Sequence, residues 1–230
     1  MVLDFFTELL AREYPKALIT AVDIAPEMID LAKEKLSGFA NISYLIADGE
    51  KLQIGNESLG APSFDLIVSN VVFQWFTDYA KPLAQYYALL NTDGYLIFST
   101  IGAGTFKELY VCLNNSSKVN TQHELSCREG HTKREPFIEG KCLHDYLIRT
   151  GFKFVSVEEV TKQEYFSSCR EFLRALKKIG ANNYLDGELV VQGIGSGIFS
   201  LMKSYDSMFI NEQGVFATYQ CLFGWGQRDI

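Results

Sequence analysis

Residues 18–28 read LITAVDIAPEM and contain the signals of a buried strand followed by a helix. The apolar run from Leu18 to Val22 ends at Asp23, and such a short run is typical of a strand covered on both faces. Pro26 is favoured in the first turn of a helix, and the apolar residues after it recur at helical spacing. The segment therefore predicts a strand with an acidic carboxyl end and a helix behind it, which is the unit of parallel α/β sheets.

The same alternation continues along the first half of the chain. Three further apolar runs predict strands at Ile42–Ala47, Phe64–Ser69 and Tyr95–Thr100. Apolar residues at helical spacing predict a helix before the last of these strands and another at the N-terminus, with Asp4 as its N-cap. Strands that alternate with helices form a parallel sheet in which ligands bind at the carboxyl ends of the strands.

The second half of the chain has a different pattern. Residues 105–150 are polar and weakly periodic, which indicates a lid or insertion. A strand at Phe152–Val160, a helix capped by Ser168 and a closing strand at Val215–Phe223 follow. The sequence thus predicts a single Rossmann-like α/β domain over residues 1–230. Its sheet would be mostly parallel with an antiparallel C-terminal edge, and its lid would lie at about residues 105–150.

Composition narrows the classes of protein that fit. The 230 residues carry a formal net charge of -7, which argues against a general nucleic-acid binder because such proteins need a basic surface. The sequence contains no apolar run of about eighteen residues, and its N-terminus lacks the features of a signal peptide. We therefore expect a cytoplasmic monomer that binds neither nucleic acid nor membrane.

Polar motifs follow the predicted strands in a fixed order. Asp23 ends the first strand, Asp48-Gly49-Glu50 follows the second, and Ser69-Asn70 ends the third, with Gln74-Trp75 shortly behind it. Later motifs are Phe98 to Thr105, Glu108-Leu109, Leu176 to Ala181 and Ala217-Thr218-Tyr219. This ordered set resembles the class I S-adenosylmethionine-dependent methyltransferases. It is most similar to the malonyl-acyl-carrier-protein methyltransferases of biotin synthesis, over roughly residues 5–225.

The resemblance implies a site for S-adenosylmethionine at the ends of the strands. Asp23 would accept hydrogen bonds from both ribose hydroxyls, a bidentate role that suits a carboxylate. Asp48 would accept one from the adenine amino group, and Gly49 would let the backbone approach the adenine ring. Ile24 and Asn70 complete the set of cofactor-side candidates, and no metal is implied.

The resemblance also implies a reaction: methyl transfer to the free carboxylate of malonyl-acyl-carrier protein or of malonyl-CoA. The carboxylate is already an anion and the sulfonium is a strong electrophile, so no general base is required. Catalysis would come from positioning the reactants and excluding water. A cation or hydroxyl must hold the substrate carboxylate. The substrate-side candidates are Gln74, Trp75, Arg134, Tyr165 and Arg174.

The opening of the chain departs from the family pattern, which is roughly Val-Leu-Asp-x-Gly-x-Gly-x-Gly. Here residues 2–4, Val-Leu-Asp, are followed directly by Phe5. Because the missing glycines let the backbone approach the methionine part of the cofactor, we expect weak or absent cofactor affinity. Loss of this central strand would leave two edges about 9–10 Å apart, since neighbouring strands lie roughly 4.8 Å apart. We expect the flanking strands to pair directly, or the chain to be destabilised.

Several alternatives remain open. The chain fits a methyltransferase for another small carboxylate, or a methyltransferase-like module that binds a carrier protein without turnover. Residues 193–197, Gly-Ile-Gly-Ser-Gly, fit either a nucleotide-binding turn or a flexible helix entry. The His and Cys residues between 123 and 144 fit either a zinc site or a solvated loop. The basic pairs Lys133-Arg134 and Lys177-Lys178 fit either plain surface or contact with an acidic carrier protein.

Overall fold

The computed structural model describes residues 2–52, 64–116, 137–178 and 197–229. In chain order the helices and strands are α1 (Val2–Glu13), β1 (Ile19–Asp23), α2 (Pro26–Lys35), β2 (Ile42–Ile46), β3 (Phe64–Asn70), α3 (Ala80–Leu89), β4 (Leu90–Ile101), α4 (Lys107–Ser116), α5 (Gly140–Thr150), β5 (Lys153–Phe166), α6 (Cys169–Lys178), α7 (Gly197–Met208), β6 (Ile210–Asn211) and β7 (Gly214–Gln227). Short 3₁₀ helices at Gly49–Lys51 and Phe73–Trp75 follow β2 and β3. The strand and helix order predicted for the first half is confirmed.

The described strands form two sheets. In the first, β1 and β2 are parallel, with Ile19 opposite Ile42 and Asp23 opposite Ile46. The second has the strand order β3-β4-β7-β5, in which β3 is parallel to β4 and the short β6 pairs with β7 in the antiparallel sense. Parallel strands combined with an antiparallel C-terminal edge confirm the predicted α/β fold class.

The first described element is a helix rather than a strand. The residues Val-Leu-Asp at positions 2–4, which match the start of the family's first strand in sequence, lie in the opening turn of α1. The prediction that Asp4 caps this helix is wrong, because α1 already begins at Val2 and Asp4 lies inside it. Among the described residues, no strand precedes β1.

The strands that would flank the missing one do not pair with each other. In the described part of the chain β1 is paired only with β2, whereas β3 is paired with β4. The predicted direct pairing of the flanking strands is therefore wrong for these residues. Helix α1 packs against β1 and α2, and α2 packs against both β1 and β2. These four elements therefore pack together as one group. Among the described strands, one edge of β1 and one edge of β3 have no neighbouring strand.

The chain divides into two compact units. The first contains residues 1–100, 143–157 and 224–230, and the second contains residues 101–142 and 158–223. The second unit thus begins close to the predicted lid but extends far beyond residue 150. The stretch predicted as a lid includes helices α4 and α5. A single domain with a lid at 105–150 stays a prediction.

None of the described helices is long and apolar enough to cross a membrane.

Each unit has its own apolar core. In the first, Phe73 is fully buried and its ring centroid lies 4.9 Å from that of Phe98 and 5.0 Å from that of Phe76. Aromatic stacking of this kind fixes the segment that follows β3. The buried core of the second unit brings together α4, α6, α7 and β7 through Leu109, Phe172, Leu176, Leu201, Tyr205 and Ala217.

Candidate active site

The acidic ends of β1 and β2 lie at the same edge of the first sheet. Asp23, the last residue of β1, is opposite Ile46, and its carbonyl accepts a hydrogen bond from the N–H of Ala47 at 3.0 Å. Asp48 is the next residue along, so it continues from the strand end adjacent to Asp23. Both aspartates are partly buried. The parallel register therefore presents two carboxylates at neighbouring strand tips, where open α/β sheets bind ligands.

The Asp23 carboxylate is fixed by the turn that leads into α2. Its Oδ1 accepts a hydrogen bond from the N–H of Ala25 at 2.9 Å, which is the local pattern of an Asx turn. Its Oδ2 makes no hydrogen bond to any described residue, so that oxygen can receive a ligand hydroxyl. The neighbouring Ile24 side chain is 65% exposed and offers an apolar face beside the carboxylate.

The turn after β2 is held by its own side chains. Asp48 Oδ1 accepts a hydrogen bond from the N–H of Glu50 at 2.9 Å, and Oδ2 lies 3.5 Å from Lys51 Nζ. The carbonyl of Gly49 accepts a hydrogen bond from the Tyr86 hydroxyl at 2.8 Å. Burial, together with the negative charges of Asp48 and Glu50, raises the pKa of Tyr86 far above its usual value, so the hydroxyl stays a donor.

Glu50 is a site residue whose role sequence analysis missed. Its Oε1 accepts hydrogen bonds from the backbone N–H of Thr77 at 2.8 Å and of Asp78 at 2.8 Å, and from the Thr77 hydroxyl at 2.6 Å. One carboxylate oxygen thus ties the turn after β2 to the loop that precedes α3. Glu50 follows Asp48 in the quoted motif, but nothing local in the sequence indicates partners 27 and 28 residues away.

The carboxyl end of β3 carries a second polar cluster. Asn70 lies opposite Ser99 of β4, and its Oδ1 accepts a hydrogen bond from the Ser99 hydroxyl at 2.5 Å. Ser99 also accepts the N–H of Val71, through its carbonyl oxygen at 2.9 Å and its hydroxyl at 3.2 Å. This cross-strand pair fixes the orientation of Asn70, the cofactor-side candidate at this strand end.

Gln74 supports the turn after β3. It is 8% exposed, and its Oε1 accepts a hydrogen bond from the Thr100 hydroxyl at 3.0 Å. Its Nε2 donates to the carbonyl of Val71 at 2.7 Å. Because both ends of its amide make hydrogen bonds within the first unit, Gln74 stabilises this turn. Trp75, by contrast, is 50% exposed and can cover a bound molecule.

The other substrate-side candidates are not gathered with Gln74 and Trp75 in the first unit. Tyr165 is at the end of β5 in the second unit, and its hydroxyl donates to Gln163 Oε1 at 3.2 Å. Arg174 is exposed on α6, also in the second unit. Arg134 lies outside the described residues, as do the first four residues of the segment 193–197, whose last residue, Gly197, begins α7.

The donor and acceptor set suits the nucleoside part of S-adenosylmethionine. Two carboxylates at adjacent strand ends can accept hydrogen bonds from ribose hydroxyls and from an adenine amino group. The methionine part lacks its usual support, since no glycine-rich turn precedes β1 in the described chain. Within that same part, no group of three or more His, Cys, Asp or Glu side chains is arranged to hold a metal ion.

Comparison with known proteins agrees with this geometry. Residues 4–98 match a family described as "Methyltransferase domain". The malonyl-[acyl-carrier protein] O-methyltransferase of Acetivibrio thermocellus is 33% identical over 225 residues, which cover 95% of this chain and 74% of that protein. The protein of the same name from Anoxybacillus flavithermus is 36% identical over 220 residues, which cover 95% of this chain and 77% of that protein.

The solved structures show the same fold at much lower identity. The YcgJ protein of Bacillus subtilis superposes with a TM-score of 0.60 at 12% identity, covering 98% of this chain and 88% of that one. At that identity the likeness concerns the fold alone. The family follows from the sequence relatives, whose identity exceeds 30% over most of their length. On this evidence the chain belongs to the malonyl-acyl-carrier-protein O-methyltransferase family of class I S-adenosylmethionine-dependent methyltransferases.

Proposed function

We propose that this chain transfers a methyl group from S-adenosylmethionine to the free carboxylate of malonyl-acyl-carrier protein, a step of biotin biosynthesis. The observation that carries the proposal is the pair of carboxylates, Asp23 and Asp48, at neighbouring strand ends of a chain from this family. The methyl ester removes a negative charge from the malonyl group, which can then be extended as an ordinary acyl chain.

The reaction needs little acid–base chemistry from the protein. When bound, the cofactor supplies an electrophilic methyl group on a positively charged sulfur. A malonyl carboxylate oxygen forms the new C–O bond while the S–C bond breaks, and the electron pair of that bond stays on sulfur. One anion and one cation become a neutral ester and a neutral thioether, and no proton moves. The chain therefore contributes binding, alignment and exclusion of water.

Under this proposal the residues have four tasks. Asp23 and Asp48 hold the nucleoside, with Ile24, Gly49 and Asn70 beside them. Gln74 holds the turn after β3, and the half-exposed ring of Trp75 shields the reacting atoms from water. The cation or hydroxyl that binds the malonyl carboxylate comes from Arg134, Tyr165 or Arg174.

Transfer of a labelled methyl group tests the proposal directly. Purified protein is incubated with methyl-labelled S-adenosylmethionine and, separately, with malonyl-acyl-carrier protein, malonyl-CoA or free dicarboxylic acids. Label that appears in the malonyl-carrier product and is lost on mild ester hydrolysis is the expected result. Label only in free dicarboxylic acids would instead identify a methyltransferase for another small carboxylate. Absence of label on every acceptor, from protein shown to be folded by circular dichroism, contradicts the proposal.

A second candidate function is a carrier-binding protein without turnover. It is favoured by helix α1, whose first residues match the start of the family's first strand in sequence, and by the edge of β1 that has no partner among the described strands. Calorimetric titration separates the two candidates. Micromolar binding of S-adenosylmethionine favours the enzyme, whereas carrier binding without any cofactor binding favours the binding protein.

A further inference from the structure

Helix α6 concentrates positive charge on one face. Its ten residues contain four of the chain's 21 Lys and Arg residues. Residues three, four and seven apart share one side of a helix, so these four cations lie together. All four are exposed, and the opposite side of α6 is buried in the core of the second unit. The cations, which we call the α6 basic face, are Arg170, Arg174, Lys177 and Lys178.

Within the described residues the α6 basic face keeps a net positive charge, although the exposed Glu171 lies three residues before Arg174 on the same helix. None of its four cations lies within 4.0 Å of a carboxylate in the described part of the structure. Other exposed cations do have such partners: Arg12 lies 2.7 Å from Glu8, and Lys33 lies 3.4 Å from Asp30. A partner that binds the α6 basic face would therefore break no ion pair between these cations and the described carboxylates.

The helix is also a rigid support. Its first N–H, from Cys169, donates to Asp206 Oδ1 of α7 at 2.6 Å, and Ser168 precedes it as the cap. On the inner side Cys169, Phe172 and Leu176 are fully buried. A fixed backbone keeps the four cations at constant spacing, which reduces the conformational entropy that is lost when a partner binds.

We propose that the α6 basic face docks the acidic acyl carrier protein that delivers the malonyl group, an inference that rests on the proposed function. The chain as a whole carries a net charge of -7 and would repel an acidic protein. Association therefore requires a local positively charged surface that offsets this repulsion, and α6 supplies one. Charge complementarity of this kind steers encounter and sets orientation.

The test measures carrier binding without cofactor, so that it does not depend on turnover. Fluorescently labelled malonyl-acyl-carrier protein is titrated with the wild type and with the double variant Arg170→Gln/Lys178→Gln. Arg174 is left unchanged because it is a candidate for the substrate carboxylate. The matched control is Lys107→Gln/Lys203→Gln, which removes two exposed charges of the same unit from α4 and α7.

We expect the α6 variant to bind the carrier about tenfold or more weakly and the control to bind within about twofold of the wild type. The difference should vanish at about 1 M salt, where the screening length is about 3 Å. Equal affinity of the wild type and the α6 variant at low salt overturns the docking proposal. Methyl transfer to malonyl-acyl-carrier protein, assayed in parallel on the wild type, reports on the proposed function separately.

The two proposals can therefore fail independently. Normal methyl transfer with carrier binding insensitive to α6 would refute the docking surface and leave the function intact. Carrier binding that depends on α6, without any methyl transfer, would refute the proposed function and support the docking surface. All four substituted side chains are exposed, so unchanged thermal unfolding should accompany both variants.

Discussion

The amide of Gln74 donates to the carbonyl of Val71 over 2.7 Å, while Val71 is held at a φ of +53°. A left-handed backbone is rare for a β-branched residue and costs about 1–2 kcal/mol. The other end of the amide accepts a hydrogen bond from Thr100. A buried side chain thus holds a strained turn between Asn70, a cofactor-side candidate, and Trp75, a substrate-side candidate. Strain that persists in this way is often found at functional sites.

Replacing Gln74 by Met should damage both stability and turnover. The Met side chain has a similar length but leaves the buried Thr100 hydroxyl without this acceptor, at about 1–3 kcal/mol for such a group, and removes the donor to the Val71 carbonyl. We expect kcat for methyl transfer to fall about tenfold or more because the turn loses its position. Denaturant unfolding and labelled-methyl transfer measure the two effects. A variant with wild-type stability and kcat would show that these two hydrogen bonds have no function.

The variant Gln74→Glu separates the two hydrogen bonds. As a carboxylate it keeps the acceptor for Thr100 and places an acceptor, instead of the donor, against the Val71 carbonyl. If the turn at Val71 is what matters for the site, Gln74→Glu should lower kcat nearly as much as Gln74→Met. A kcat close to that of the wild type would instead assign the effect to the Thr100 bond.

The strain at Val71 predicts that Gly is more stable than Ala at this position, which is the reverse of the usual order. In most extended or helical positions Ala is more favourable than Gly by about 0.5–1 kcal/mol. At a φ of +53° the order should reverse, because Gly adopts this conformation without steric cost. We expect Val71→Gly to be more stable than Val71→Ala by about 1 kcal/mol in denaturant unfolding. The opposite order would mean that the turn is not left-handed in solution.

The first half of the fold could be predicted because its signals are local. The apolar run, acidic end and proline of residues 18–28 correspond to β1, Asp23 and the start of α2 at Pro26. Polar residues at strand ends follow from the parallel topology, so Asp48 and Asn70 could be proposed from the sequence as well. Their role toward the cofactor remains a prediction.

The rest depends on contacts between distant residues. Glu108 is 2% exposed on α4 and accepts a hydrogen bond from the N–H of Thr218 at 3.0 Å, 110 residues away. A charged residue on a buried face interrupts the apolar periodicity, which is why α4 was not predicted within the lid. The left-handed backbone at Val71 and the three hydrogen bonds that Glu50 accepts likewise depend on residues of other elements.

Gly49 gives a test of cofactor binding that leaves the fold intact. A Cβ placed there would lie 3.5 Å from the Tyr86 hydroxyl oxygen and 3.9 Å from Phe76 Cζ, which are ordinary contacts. Stability of Gly49→Ala should therefore stay within about 0.5 kcal/mol of the wild type. If adenine packs against this backbone, the Kd for S-adenosylmethionine should rise about tenfold in calorimetric titration, since the methyl group occupies that space.

Gly38→Ala is the matched control, because a Cβ at Gly38 would meet no atom within 4 Å. It should change neither stability nor affinity. Equal affinities of the wild type, Gly38→Ala and Gly49→Ala would remove Gly49 from the cofactor site while leaving Asp23 and Asp48 to be tested by their own Asn variants.

Stability should decline in alkali partly through Cys169. Burial raises the pKa of its thiol to about 12, and Asp206 and Cys112 add to the shift. Between about pH 9 and pH 12 the unfolded chain releases this proton while the native state keeps it, so the native state binds more protons. The contribution is thus fully present below pH 9 and is lost as pH rises. Cys169→Ala should flatten this part of the unfolding free energy against pH, and a dependence as steep as that of the wild type would contradict this assignment.

Hydrogen exchange tests whether the sheet is split in solution. The N–H of Ile19 donates to the carbonyl of Asn41, and the N–H of Ala47 donates to the carbonyl of Asp23, so the odd-numbered residues of β1 face β2. Successive N–H groups of a strand point to opposite edges, which places those of Thr20 and Val22 on the edge without a ladder.

We therefore expect the amides of Thr20 and Val22 to exchange much faster than that of Ala21 in residue-resolved NMR measurements. The strand β4 is paired with both β3 and β7 and provides the internal reference, and its amides from Tyr95 to Ser99, which lie opposite β3, should be slow. Similar protection of Thr20, Ala21 and Val22 would mean that another strand fills this edge in solution. Because β1 ends at Asp23, slowing of Thr20 and Val22 on addition of S-adenosylmethionine would link cofactor binding to ordering of the same edge.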